Sequence, residues 1–277
     1  DPRLVEGLWA QFTNKRAATE GLLLSLPAPD AAMPASPKLP ELPEFNRHDR
    51  TRADYGTGDL RRGFSLDLWL RLDSLSAGQI VLDNRTPSGK GFALVTTPER
   101  TLQLILNDGR SESRWDCDPG LLTLGRLHHV TAIVDGGPKI ISFVVDGRFC
   151  DGGSWRQFGW GRFNPNYRGP SGEPALRIAP RVKGQVVALR LYGRALRTSE
   201  AVGNFRAGCP VAGATEKPSF SIPLVDLDDQ RPRQVVVDRE PGQYLGHPTT
   251  VLLEDGRTML CVYPKGHGRG AIVYKRS

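Results

Sequence analysis

Residues 124–150, LGRLHHVTAIVDGGPKIISFVVDGRFC, constrain the fold more than any other part of the chain. Residues 129–134 and 140–145 are rich in β-branched side chains, which favour a pleated, half-buried surface. Between them, Asp135-Gly136-Gly137-Pro138 groups residues that tolerate the dihedrals of a chain reversal. A second reversal follows at Asp146-Gly147, next to an apolar strand. The stretch therefore predicts two strands folded against each other, and a hairpin of this kind needs further strands to bury its apolar face.

Those strands are legible upstream and downstream. Phe64, Leu66, Leu68, Leu70 and Leu72 alternate with Ser65, Asp67, Trp69 and Arg71, a period-two strand with one apolar face. Further strands are expected at residues 21–26, 79–83, 91–96, 101–106, 175–178 and 185–192, with turn residues such as Asn107-Asp108-Gly109 between them. Helical periodicity is missing here, apart from a brief helix starting near Thr198 or Ser199 and a mildly amphipathic run within residues 1–20. Many short strands with tight turns predict an antiparallel sandwich. Phe64, Leu66, Leu68, Ile133, Phe143, Val145, Leu189 and Leu191 are its expected interior. Residues 27–43 carry repeated prolines, which remove backbone donors, and are expected to be an exposed loop or linker.

At 277 residues the chain can bury a substantial core in one large or two smaller β domains. Its formal charge of +7 and pI near 9.4 suit acidic partners such as sialic or uronic acids. No Lys/Arg stripe interleaved with aromatics is present, so nucleic acid is not expected as a partner. Nor does any apolar run approach the roughly 20 residues of a membrane span. The opening Asp1-Pro2-Arg3 shows no signal peptide and suggests a mature chain or an excised fragment.

Cys117, Cys150, Cys209 and Cys261 lack the close spacing of a metal site. Cys117 and Cys150 flank the central hairpin and are the candidates for a bond in an oxidising compartment; four reduced, structural cysteines are the alternative. His128 and His129 read either as ligands or as packed residues at a strand flank.

Trp155, Phe158, Trp160, Phe163 and Tyr167 fall within thirteen residues, interleaved with Arg156, Arg162 and Arg168. Sugar recognition by stacking needs flat aromatic faces, and arginine clamps a carboxylate bidentately. Trp155, Trp160, Tyr167, Arg162 and Arg168 are therefore the carbohydrate-binding candidates. The competing reading is that the rings cover an open edge of the sandwich.

Beyond Cys209 a small polar linker, residues 209–217, leads to a second piece at 218–277. There, residues 248–253 and 258–263 flank Glu254-Asp255-Gly256-Arg257 and predict a hairpin, with a further strand at 271–274. Lys265, His267 and Arg269, together with His247, form a basic cluster able to bind an anionic sugar or move a proton.

The fragments FSLDLWLRL, LGRLHHVTAIVDG, FVVDGR and GQVVALRLYGRALRTSEA, in that order over roughly residues 20–208, resemble laminin-G and concanavalin-like lectin modules. The resemblance implies an all-β chain whose residues 21–208, after an N-terminal segment 1–20, form a concanavalin-like antiparallel β-sandwich (jelly roll). Such modules bind sugars, bind proteins or buttress a catalytic neighbour. Some relatives hold calcium on loops, and Asp83, Asn84 and Asp135 are the candidates here, but no motif converges and no cofactor or metal is expected. The second piece, with Gln-Tyr-Leu-Gly-His-Pro-Thr-Thr at 243–250, resembles the first blade of a sialidase-like β-propeller of a bacterial branch, here truncated. That resemblance makes His247, Lys265, His267 and Arg269 substrate-binding candidates. The family's first arginine is replaced at Gly246 and no aspartate lies in 265–270, so no catalytic residue is assigned.

The resulting expectation is an accessory carbohydrate-binding module of a secreted, periplasmic or cell-surface glycoside hydrolase, with glycans, anionic ones included, as partners. The chain itself is expected to hydrolyse nothing. The alternative is an extracellular laminin-G-type structural or protein-interaction module. Sugar identity and oligomeric state stay open.

Overall fold

The computed structural model describes residues 17–28, 30–45, 62–211, 232, 235–266 and 269–277. The chain divides into two compact units, 1–221 and 222–277. The amphipathic run in 1–16, the polar stretch 46–61 and most of the 209–217 linker lie outside the described residues.

Among its described residues the first unit is β apart from one helix. Its strands are β1 (Leu22–Leu26), β2 (Gly63–Leu72), β3 (Ile80–Asp83), β4 (Gly91–Thr96), β5 (Leu102–Asn107) and β6 (Glu112–Asp116). They continue with β7 (Leu127–Asp135), β8 (Ile140–Val145), β9 (Arg148–Phe149), β10 (Trp160–Arg162), β11 (Arg177–Arg181) and β12 (Gly184–Tyr192). Among the described residues they build two antiparallel sheets. One has the order β1-β12-β2-β7-β8-β10, with β9 also on β8; the other runs β11-β3-β4-β5-β6. The central hairpin is β7–β8, with Ala132 opposite Phe143 and Val130 opposite Val145.

Between the sheets lies one core, in which Phe64, Leu66, Leu68, Leu70 and Leu72 of β2 meet Phe92 and Leu94 of β4 and Leu104 of β5. Each such side chain contributes roughly 1.5–3 kcal/mol on burial, so the pleat fixes the register: a one-residue slip would turn the whole row outward. All eight side chains expected inside are buried. Ile133, however, belongs to a second, smaller cluster with Val144, Tyr192 and Ala201 on the outer face of the larger sheet.

That outer face is where alternation predicts polarity, and it is also buried. The cause is α1 (Thr198–Ala207), which starts with Glu200 in its first turn and stops at Gly208, φ 82°. Arg194 grips Glu200 through two bonds of 2.8 and 2.7 Å, and the Arg197 N–H donates to Glu200 Oε2 at 2.8 Å, pinning the helix start. Phe205 stacks on Trp69 with ring centroids 5.9 Å apart. Asp67, 1% exposed, accepts hydrogen bonds at 2.9 Å from Thr131 Oγ1, His129 Nε2 and Asn204 Nδ2, with Arg190 3.6 Å away. Burial pushes its carboxyl up, but the His129 ring, the hydrogen bonds and Arg190 outweigh it and hold it below the usual carboxylate range. His128 is equally committed: Nδ1 donates to Asp146 Oδ2 at 2.7 Å while Nε2 accepts from the Thr123 N–H at 2.9 Å. Both histidines are thus packed polar residues with acidic partners far away in sequence.

The proline-rich stretch is, in its described part, the irregular and largely accessible loop expected, laid along the sandwich as a strap. Its described part runs along residues 168–178, with Leu39 N–H donating to the Pro174 carbonyl (2.8 Å), Leu176 N–H to Pro37 (2.9 Å) and Ile178 N–H to Ala35 (2.8 Å). Met33, Leu39 and Leu42 pack onto the core. An extended proline-rich chain lacks donors but keeps its carbonyls, and here those carbonyls are used.

The second unit is a three-stranded antiparallel sheet of β13 (Thr249–Leu252), β14 (Met259–Pro264) and β15 (Ile272–Arg276). Asp255 caps its first turn, accepting from the N–H groups of Arg257 (2.9 Å) and Thr258 (2.8 Å).

Candidate functional site

The loop from β9 through β10 to β11 carries most of the candidates, and its course follows β6. At the β6 C-terminal end, the Arg156 guanidinium lies between two indoles, 4.1 Å from Trp115 and 3.6 Å from Trp155. It also binds the Asp116 carboxylate and donates to the Asp116 carbonyl at 3.3 Å. Farther along, Asn164 N–H donates to Ser113 Oγ (3.2 Å) and Asn164 Nδ2 to Ser111 Oγ (2.7 Å). Asp116 and Ser111 are five residues apart, so the loop's aromatic start and its polar end are separated by about 17 Å along the strand.

The aromatic residues consequently divide. Trp155 (39% exposed) and Phe158 (49% exposed) face solvent. Trp160 is half-buried and stacks on Phe158 at 5.1 Å, with exposed Arg162 5.7 Å from its ring. Tyr167 and Phe163 are core residues instead, packed with Phe45. Tyr167 therefore offers no stacking face; burial pushes its phenol up, and its hydroxyl has no partner among the described residues. Lys139, at the tip of the central hairpin, is buried in the same cage. Its Nζ donates to the Tyr167 carbonyl at 3.0 Å and lies 5.0 Å from the Phe45 ring and 5.7 Å from that of Phe163. Burial lowers its pKa to about 8.

Arg168, next in the chain, turns outward into an open cavity of about 600 Å³. The other lining residues that matter come from two turns at one end of the smaller sheet: Lys90 before β4, and Asp108 and Arg110 between β5 and β6. The pairing of Gly91 with Asn107 sets these turns side by side. Asn164, Asn166 and Ser171 complete the polar wall. Among the described residues no carboxylate pairs with Lys90, Arg110 or Arg168. Asp108 keeps a charge there: slight burial is outweighed by the N–H groups of Ser111 and Arg110, and its pKa falls below the usual value. Among the described lining residues, three cations stand against one carboxylate, a positive balance. A second cavity of about 370 Å³, lined by Glu41, Glu44, Glu173 and part of the strap, shares Arg168 with it.

Of the sequence candidates, Arg168 alone lines the positive cavity. Lys90 and Arg110 were missed, since single cations in turns have no local signature; the strand pairing brings them together. In the second unit, Lys265 is ion-paired with Glu240, and His247 and Arg269 are exposed. His267 lies outside the described residues. Gly246 lies against the Tyr244 ring, and a Cβ there would fall 2.3 Å from it and make this exposed ring shift. The loop candidates for calcium serve turns and ion pairs: Asp83 holds Arg85 and Arg177, Asn84 Oδ1 accepts from Phe92 N–H (2.7 Å), and Asp135 caps Gly137.

No curated protein matches the sequence. Among solved structures, the chain is similar to the CBM40 domain of the Ruminococcus gnavus IT-sialidase bound to α2,3-sialyllactose, at 14% identity and a TM-score of 0.41, covering 60% of this chain and 95% of that one. It is also similar to the leech intramolecular trans-sialidase (13% identity, TM-score 0.44, 94% of this chain and 37% of that one). A third is the botulinum neurotoxin serotype C1 binding domain (11% identity, TM-score 0.39, 52% of this chain and 36% of that one). Likeness at this level carries no argument about the chain's path or its ligand. A family description does match residues 49–201, more than half of the chain and nearly the whole sandwich built above. With two antiparallel sheets around one core and that match, the chain belongs to the concanavalin A-like lectin/glucanases superfamily.

Proposed function

We propose that the sandwich is a carbohydrate-binding module of an extracellular protein, and that its ligand presents an anionic group to Lys90, Arg110 and Arg168. The observation that carries this reading is the convergence on one open cavity of three cations that have no ion-pair partner among the described residues. Lys90 is half-buried and Arg110 and Arg168 are exposed, so all three are accessible, and together they are complementary to a carboxylate or sulfate. Arginine holds such groups through two parallel N–H bonds, while the Asn164 and Asn166 amides and Asp108 suit sugar hydroxyls. The exposed faces of Trp155 and Phe158 would add stacking for a longer chain. No helix among the described residues is long and apolar enough to cross a membrane.

The 249–276 sheet is read as an initial part of a sialidase-like propeller, which makes the sandwich accessory to a glycoside hydrolase. Its hairpin closes on the expected Asp-Gly turn; Lys265 is ion-paired with Glu240, and His247 and Arg269 are exposed. The 277-residue chain should show no turnover of fluorogenic sialosides.

The binding test is calorimetry with acidic and neutral oligosaccharides of equal length, on the wild type and Arg168→Gln. Acidic ligands should bind more tightly, and loss of one charged hydrogen-bond donor should weaken them on the order of 10- to 100-fold. Raised salt should narrow the gap. Equal affinity for both ligand classes, or an unchanged Arg168→Gln, would overturn the assignment.

A further inference from the structure

Cys117 and Cys150, both free thiols in this structure, come from opposite sheets at one edge of the sandwich. Cys117 extends β6, its N–H donating to the Leu102 carbonyl at 3.0 Å. Cys150 follows β9 and donates to the Phe143 carbonyl of β8 at 3.0 Å. Both are buried, at 0% and 1% exposure, in the core that the two sheets share. Sheets packed face to face stand about 10 Å apart, whereas a disulfide joins Cα atoms roughly 4.4–6.8 Å apart. At this edge the sheets close up. Gly161 of β10 lies so near Trp115 of β6 that a Cβ would sit 2.1 Å from the indole. Gly152 N–H donates to Asp118 Oδ2 at 3.1 Å, and Arg156 reaches the Asp116 carbonyl at 3.3 Å. The residues flanking the two cysteines are thus hydrogen-bonded to one another.

We infer that Cys117 and Cys150 are the two halves of an inter-sheet disulfide, made while the chain folds in the presence of a small disulfide oxidant. With oxidised glutathione, one cysteine thiolate attacks a glutathione sulfur, forming a mixed disulfide and releasing one glutathione thiolate. The second cysteine thiolate then attacks the protein-bound sulfur and releases the other. The two cysteine protons end on two glutathione thiols, and the oxidant gains the two electrons. Burial pushes both thiols up, Cys150 to about 12, so the closed sandwich holds almost no thiolate and the exchange belongs to the folding chain. The bond ties the end of β6 to the start of the loop that leads to Trp155, Phe158 and Arg168. Cys209 packs near Trp69 on the outer face, and Cys261 lies in the other unit.

The experiment refolds reduced, denatured protein in a glutathione redox buffer, blocks free thiols with iodoacetamide in guanidinium, and maps peptides without reduction. A peptide joining Cys117 to Cys150 is expected, with Cys209 and Cys261 alkylated. Reductant should lower the Tm of this material on the order of 5–10 °C and leave that of Cys117→Ala/Cys150→Ala unchanged. Alkylation of both Cys117 and Cys150, or their pairing with other cysteines, would overturn the proposal. If the double variant does not fold, the wild-type peptide map decides alone.

Discussion

The sandwich and the 249–276 sheet are written in the same sequence language and reach different ends. In both, apolar β-branched runs are interrupted by Asp-Gly turns, and in both the strands form antiparallel ladders. In the sandwich the apolar row of β2 is covered by the second sheet and its reverse face by α1. In the smaller sheet, Val251, Leu252, Met259, Ile272 and Tyr274 are exposed, and Cys261 and Tyr263 of β14 are the buried side chains of its strands. Alternation thus commits a segment to being a strand, but stability comes from the layer placed on top of it.

Mutation should separate the two regions by a wide margin. Leu68→Ala empties a fully buried site between the sheets and should cost about 3–5 kcal/mol, measured as a lower urea midpoint of the sandwich. The exposed Ile272→Ala should change stability by less than about 0.5 kcal/mol. Comparable losses at both positions would show that a partner layer covers the smaller sheet.

The second contrast lies within the sandwich, between its apolar core and the polar network under α1. Removing the Asp67 carboxylate by Asp67→Ala leaves Arg190 without its buried counter-charge and the His129 ring, Thr131 and Asn204 without their shared partner, and should cost about 3 kcal/mol. Because the folded-state pKa of Asp67 lies below its ordinary value of 3.8, its contribution is present above pH 3.8 and is lost as pH falls through the folded value. An acid-unfolding profile of the variant that matches the wild type would sink this account.

A smaller effect, in a higher pH window and again with stability rising with pH, is expected at Lys139. Its pKa is lowered from 10.5 to about 8, so between these values the unfolded chain holds a proton that the folded chain lacks. Stability should therefore rise with pH across that window, and Lys139→Met should remove the rise. A wild-type stability that falls steadily from pH 8 to 10.5, with no difference in the variant, would contradict the burial of this ammonium.

Where the sequence was readable, single strands carried their own signal. Residues 63–72, 127–135 and 184–192 were legible from alternation or β-branching, and the helix at 198–207 from its polar start. β6, with Glu112, Ser113 and Arg114, has the composition of a solvated turn and was not expected to be a strand; it is an edge strand, and its charges suit that exposure. β10 was hidden in the aromatic loop, three residues centred on a glycine whose missing side chain admits Trp115. The aromatic loop read as one site because its rings are adjacent in sequence. Following β6 instead, it leaves Trp155 and Phe158 at one end, buries Phe163 and Tyr167 midway and delivers Arg168 at the other.

By itself, then, the sequence determined that the chain would be antiparallel β, which rows would face inward and where it would turn, because each depends on contacts within a few residues. Tertiary structure decided which face of β2 counted as solvent, since α1 lies more than a hundred residues away from it in the chain. It also decided which cations stand together: strand pairing sets Lys90 beside Arg110, and the loop that follows β6 brings Arg168 to the same cavity. Side-chain periodicity is a local property that a strand carries with it, whereas convergence of charge depends on chain closure over long distances and leaves no periodic trace.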